Sequence, residues 1–266
     1  MKRGGKISAL LLLAGLVVWV ATREPKVPAY PRWKPEEKEL GRAQDDVELV
    51  KALLREGLSD RVFDFSVVAE AVSGKKVLPV AGRESGPRVV DAIKQALEEV
   101  MGEMNGEDSP IRGLRRINEG SRFFEDGLRE RLNRAAGIRC EIPKTRGGLE
   151  QRSGYPDLKI TDEATGEVYY LDPKLMEVGS GGSSLRTFYF EPKDETLKIK
   201  DHATHLLVGI EHDGNEGEWR FLRWKLVDLS ALKVRLKAEF QASNRNIYGE
   251  GSVLEKGGRE GKDGAR

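Results

Sequence analysis

The chain has 266 residues, of which 38% are apolar and 33% charged, and its formal net charge is only +1. That length allows one large domain or two small ones with a sizeable core, and an anionic partner has to be met by a local basic patch, since the whole molecule has almost no field to offer. The single cysteine, Cys140, has no disulfide partner within the chain and no cysteine cluster with which to hold zinc; it reads as a buried thiol in a strand.

The chain opens with Lys2, Arg3 and Lys6 ahead of an apolar run from Ile7 to Thr22. A basic flank, an apolar run and a polar exit are the layout of an export signal. Cleavage after Ala21 would place Trp19 at the minus-three position, a poor fit, so an uncleaved signal anchor is favoured over a cleaved peptide. The run is shorter than the ~20 residues of a comfortable span, and flanking Lys and Arg can snorkel to make up the difference. On this reading the membrane is a partner through residues 7–22 and the protein is anchored or exported; if the segment is not a working signal, the protein is cytoplasmic. Residues 23–35, with four prolines, read as a linker.

Residues 35–57 have helical spacing, with Leu40, Val47, Val50 and Leu54 near one face. Residues 87–104 repeat the pattern behind Pro87, a natural first-turn residue. "RVFDFSVVAEAV" between them fits helix or strand. The region 35–110 therefore reads as a helical N-terminal section without chemistry. In 118–137, Phe124, Leu128 and Leu132 form one stripe and Gly137 supplies a stop, which predicts a helix. A strand is expected at 138–143, then strands at about 157–161 and 168–176 joined by the turn "EATGE". "LLVGIE" (206–211) and "WRFLRWKLVDL" predict a second hairpin, whose returning strand carries Trp and Phe on opposite faces and so reads as buried on both sides. "LSALKVRLKAEF" is expected to close with a helix. The tail 249–266 has six glycines in eighteen residues and reads as disordered.

Charged residues stand out where the first hairpin should be buried. Pairing Ile160 with Tyr169 leaves a loop of about six residues and sets Asp157 opposite Asp172 on one face. Lys174, two residues on, shares that face. Two adjacent carboxylates repel each other, and a divalent cation removes the conflict. Oxygen-only ligands suit Mg²⁺, with Mn²⁺ as an alternative. A lysine beside the metal can position a water and neutralise charge developing on a phosphate. The plain competing reading is an exposed cluster of ion pairs.

Tyr155-Pro156-Asp157, fourteen intervening residues, then Asp172-Pro173-Lys174 resembles the PD-(D/E)XK motif of the restriction-endonuclease-like nuclease superfamily. The resemblance covers about 118–230. It implies an α/β fold with a central mixed β-sheet flanked by helices, and a Mg²⁺-dependent endonuclease acting on DNA. It also implies a glutamate on the preceding helix. Glu125 borders the apolar stripe and is preferred to Glu119. The implied metal ligands are Asp157, Asp172 and Glu125, and Lys174 completes the catalytic set. Pro173 departs from a plain strand, because it donates no ladder hydrogen bond and so implies an edge, a bulge or a strand end. The apolar N-terminus is a second departure.

Residues 112–152 carry ten arginines and one lysine against six acidic residues. Arginine's planar fork suits phosphate, and Arg146 and Arg152 flank the loop leading to Asp157. Ser184 and Arg186 follow the flexible "GSGG", and Asn244 and Arg245 follow the last element; all six are candidate DNA contacts. His202 and His205 have a spacing that can ligate metal, but without further partners they read as structural. The domains expected are a signal and linker at 1–34, the helical section at 35–110, a nuclease core at 111–248 and a tail at 249–266. A homodimer is compatible with the sequence. The competing readings are a catalytically inactive DNA-binding module on the same fold and a membrane-anchored envelope protein without nuclease activity.

Overall fold

The computed structural model describes residues 37–58, 61–182, 188–193, 195–237, 243 and 247. The chain divides into two units, 1–57 and 58–266. In the first, the expected helix forms as α1 (Glu37–Arg55); Val47 and Leu54 of its stripe are exposed. The apolar run 7–22 lies outside the described residues. Among the described residues, no helix is long and apolar enough to cross a membrane.

The second unit runs β1 (Val62–Asp64), α2 (Phe65–Ser73), β2 (Val77–Leu78), α3 (Gly86–Met104), a 3-10 turn (Ile117–Gly120), α4 (Ser121–Arg134), β3 (Ile138–Glu141), β4 (Leu158–Asp162), β5 (Val168–Glu177), β6 (Ala203–His212), β7 (Phe221–Asp228) and β8 (Lys233–Arg235). The central sheet has the order β2-β6-β5-β4-β3, with β7 also paired to β6. Strands β3, β4 and β5 are antiparallel in turn, β5 and β6 are parallel, and β7 is antiparallel to β6. This is the mixed α/β architecture expected.

Alternation sorts the strand residues onto two cores. Leu158, Ile160, Tyr169 and Leu171 pack with Val89, Ile93, Leu97 and Val100 of α3 and with Phe124, Leu128 and Leu132 of α4. Val168 and Tyr170 point the other way, to Phe65 and Ala69 of α2 and to Leu197 and Ile199. Residues 58–110 thus share a unit and a core with the sheet. Helices α3 and α4 approach closely at Gly127, where a Cβ would lie 3.1 Å from the Val100 Cγ2 methyl. Phe124 is fully buried, edge-on to Phe221 with ring centroids 4.6 Å apart. Phe124→Ala should therefore destabilise the fold by ~3–5 kcal/mol in urea denaturation.

The first hairpin has the expected register, Ile160 opposite Tyr169. Its turn is held by Asp162, whose Oδ1 accepts from the Thr165 N–H and hydroxyl, each at 2.9 Å, and by Gly166 in the left-handed region at φ 71°. Pairing of β4 with β5 stops at Leu158 and Leu171, whereas β5 stays paired to β6 as far as Glu177. From Asp172 onward one flank of β5 is open, and there a proline is tolerated.

Two expectations change, and one open reading is resolved. "RVFDFSVVAEAV" divides into strand β1 and helix α2. "LSALKVRLKAEF" does not close with a helix over its described part. Asp228 caps a single 3-10 turn by accepting from the Ser230 N–H at 2.8 Å, and the chain then extends as β8 and pairs with β1. The second hairpin forms, but β7 is buried on one face only: Leu222 is 54% and Val227 43% exposed, while Trp224 and Leu226 pack on the helix-side core.

Candidate active site

One step beyond the Leu158–Leu171 pair, the hairpin register sets Asp157 against Asp172. Leu158 and Leu171 face the helix-side core, so alternation turns both aspartates to the opposite face. The Lys174 Nζ lies 2.6 Å from Asp172 Oδ2 and 3.5 Å from Asp157 Oδ2. The structure therefore brings the three charged groups to one spot.

The environment of that spot disfavours negative charge. Asp172 is buried, and burial first, then the neighbouring Asp157 carboxylate, pushes its pKa up to about 7 even though Lys174 pulls it down. Burial also works against the Lys174 ammonium, but Asp172 and Asp157 outweigh it and hold its pKa above the usual lysine range. Asp172 Oδ2 is buried and accepts no well-directed hydrogen bond; the ammonium touches it without hydrogen-bond geometry.

Glu125 of α4 is half-buried, and its pKa is raised by burial and by the charge on Asp157, against the pull of Arg152. It thus sits within the electrostatic reach of the aspartates. Glu119, in the 3-10 turn before α4, is exposed. Arg152 donates to Glu125 Oε2 at 2.9 Å and to both Asp126 oxygens at 2.7 and 2.9 Å. Its guanidinium therefore serves as counter-ion to two helix acids at the edge of the site.

Arg146 sits on an exposed turn and donates to the Val72 carbonyl at 3.4 Å. Ser184, Arg186, Asn244 and Arg245 lie outside the described residues. Two of the ten arginines in 112–152 pair with acids beyond that window: Arg131 bridges to Glu99 and Glu103, and Arg115 to Glu216. The histidine pair is structural. The His202 Nδ1 accepts from the Lys76 N–H, and His205 is buried against Tyr155 and Phe65, where burial pushes its pKa down to about 3. Cys140 is buried in β3, with its thiol pKa pushed up to about 12 by desolvation.

Two contributors were not legible beforehand. Asp126 shares Arg152 with Glu125, and Lys198 is a fully buried lysine whose charge interacts with Asp157, Glu125 and Asp172. The only sequence signal for Lys198 is its place between Leu197 and Ile199, a pattern that ordinary exposed strands share.

Among the described residues, no three or more His, Cys, Asp or Glu side chains gather into a ready-made metal cage. Mg²⁺ does not need one, since it is usually held through one or two carboxylates together with waters and substrate phosphate. An all-oxygen donor set, with a buried carboxylate oxygen met only by the Lys174 ammonium, fits a hard divalent cation.

A mixed sheet covered by helices, with two carboxylates brought together where a central hairpin opens, is the architecture of a restriction-endonuclease-like nuclease. The model of the type II restriction enzyme MjaV family matches residues 58–251, starting where the second structural unit starts. The chain belongs to that family, and it is a DNA endonuclease. It is 29% identical over 219 residues to the type II restriction enzyme MjaV of Methanocaldococcus jannaschii, a match that spans 78% of this chain and 94% of that protein.

Proposed function

We propose that the chain cleaves DNA as a Mg²⁺-dependent endonuclease of the PD-(D/E)XK type, with Mn²⁺ as a substitute ion. Asp157 and Asp172 are the metal ligands, Glu125 supports them, and Lys174 is the catalytic cation. The observation that carries this reading is the Lys174 ammonium seated between two opposed carboxylates on one hairpin face. A bound divalent cation would supply Lewis acidity and a water of lowered pKa.

The protein's own groups do the rest. Lys174 stays protonated, because Asp172 and Asp157 hold its pKa up. It therefore orients the attacking water or meets negative charge on the phosphate, and it does not take the proton. The water oxygen forms the new bond to phosphorus and gives up its proton to bulk solvent, the bond to the leaving oxygen breaks and that oxygen takes up a proton from solvent, and the negative charge that builds on the phosphate falls beside the ammonium. Arg152 holds Glu125 on the helix side of the site. Arg146, Ser184, Arg186, Asn244 and Arg245 are the proposed DNA contacts, with Arg152 joining them only where phosphate displaces Asp126 from its guanidinium.

An endonuclease meets its substrate where DNA is. We therefore place its action in the cytoplasm. Incubation of the full-length protein with plasmid and phage DNA, with Mg²⁺ or with chelator, tests the activity. Discrete fragments with Mg²⁺ and none with chelator are expected. DNA binding without cleavage under either condition would favour an inactive module.

A further inference from the structure

Leu197, Lys198 and Ile199 form a buried run ahead of β6. The two apolar residues pack into the α2-side core, as their chemistry requires. Lys198 does not fit that account. It is 0% exposed, and lysine is almost never fully buried unless its charge is met.

The Lys198 ammonium ends on two backbone carbonyls, Pro156 O at 3.0 Å and Arg152 O at 3.3 Å. These two groups bracket the loop whose next residue is Asp157. Other ties join the same two segments. Gly154, at φ +85°, passes so close to Thr196 that a Cβ would lie 2.8 Å from the Thr196 carbonyl oxygen. The Gln151 side-chain amide donates to the Glu195 carbonyl at 3.4 Å, and the Arg146 N–H donates to the Leu197 carbonyl at 2.8 Å. A methionine would fill the Lys198 volume without burying a charge. What the ammonium adds is donors for two carbonyls at either end of one loop; burial holds its pKa below the usual lysine range, and the fields of Asp157, Glu125 and Asp172 offset part of that cost.

We infer that Lys198 is a positioning residue for DNA cleavage: by gripping the carbonyls of Arg152 and Pro156, it fixes Asp157 opposite Asp172. The inference rests on the reading of Asp157 as a metal ligand. Groups that orient metal ligands typically change metal affinity or activity ~10–100-fold when removed.

The test compares full-length Lys198→Met, Gly154→Ala and Asp157→Ala with the parent, on a plasmid that the parent cuts, across a Mg²⁺ titration. Thermal unfolding without Mg²⁺ confirms that each variant is folded, and the Mg²⁺ concentration that half-maximally raises the melting temperature reads metal binding apart from rate and should shift in the same way. Lys198→Met and Gly154→Ala should each shift the Mg²⁺ concentration for half-maximal rate upward by ~10–100-fold, with rate regained at high Mg²⁺. A merely structural role would lower the folded fraction and leave that half-point in place. A folded Lys198→Met with the parent half-point overturns the inference. Should Lys198→Met fail to fold, Gly154→Ala decides, and a parent half-point there overturns it equally. Asp157→Ala separates the two layers of the argument. If it cuts like the parent, the metal-site reading fails. If it is inactive while both other variants keep the parent half-point, only the positioning role fails.

Discussion

Asp172→Asn should reduce Mg²⁺-dependent cleavage to the limit of detection and, without metal, should make the protein more stable. The first half follows from the loss of one of two metal ligands. The second follows from linkage. Asp172 titrates at about 7 in the folded protein, against ~3.9 for an aspartate in an unfolded chain. Between those values the folded state binds the extra proton, so stability falls as pH rises, and the full penalty is present above pH ~7. The raised pKa already includes the help that Lys174 gives, so the net environment opposes the charge. Asparagine keeps the shape and carries no charge. In chelator at pH 8 the variant should be more stable than the parent by on the order of a few kcal/mol at most, seen as a higher melting temperature. The difference should shrink with falling pH and vanish below pH ~3, where the parent carboxyl is protonated in both states. Addition of Mg²⁺ should raise the parent's melting temperature and leave the variant's nearly unchanged. Parent-level cleavage by this variant would show that the metal is held elsewhere.

The parts of this site that are legible in the sequence are those set by local rules. Period-two alternation in β4 and β5, together with the Thr165-Gly166 turn, determines the hairpin register, and the register alone places Asp157, Asp172 and Lys174 together. The stripe Phe124, Leu128, Leu132 determines which way α4 faces, and from it Glu125 is separable from Glu119. The rest depends on long-range contacts that leave no periodic trace. Arg152 reaches Glu125 and Asp126 across a loop of irregular backbone. Lys198 grips carbonyls more than forty residues away, and no side-chain pattern reports a bond to backbone. The short strand β8 could not be told from a helix, because Lys233–Arg235 is only three residues long and its partner β1 lies near the start of the unit. Alternating Trp and Phe in β7 reads as burial on both faces, whereas packed apolar side chains cover only its helix-side face.

Lys174→Ala should lose ~10²–10³-fold in cleavage rate while Mg²⁺ binding survives. Removing one preorganised group that meets transition-state charge typically costs that much, and both carboxylates remain. The geometry makes a further demand. The Lys174 ammonium is 2.6 Å from a buried carboxylate and 3.5 Å from its neighbour. Taking away one partner of a buried ion pair leaves an uncompensated charge and is strongly destabilising. In chelator at pH 8, Lys174→Ala should therefore melt below the parent. A divalent cation that binds the folded state stabilises it in proportion to the logarithm of its concentration over Kd, and it replaces the lost positive charge. The rise in melting temperature on adding Mg²⁺ should thus be larger in Lys174→Ala than in the parent, even though the variant cuts slowly. Lys174→Arg restores charge but brings a planar fork where a compact ammonium sat, so it should recover stability in chelator better than it recovers rate. An ordinary surface ion pair would behave otherwise: Lys174→Ala would cost at most ~1 kcal/mol, with no change in cleavage. Unchanged rates in Lys174→Ala, or a folded variant whose melting temperature no longer responds to Mg²⁺, would remove Lys174 from the role assigned to it.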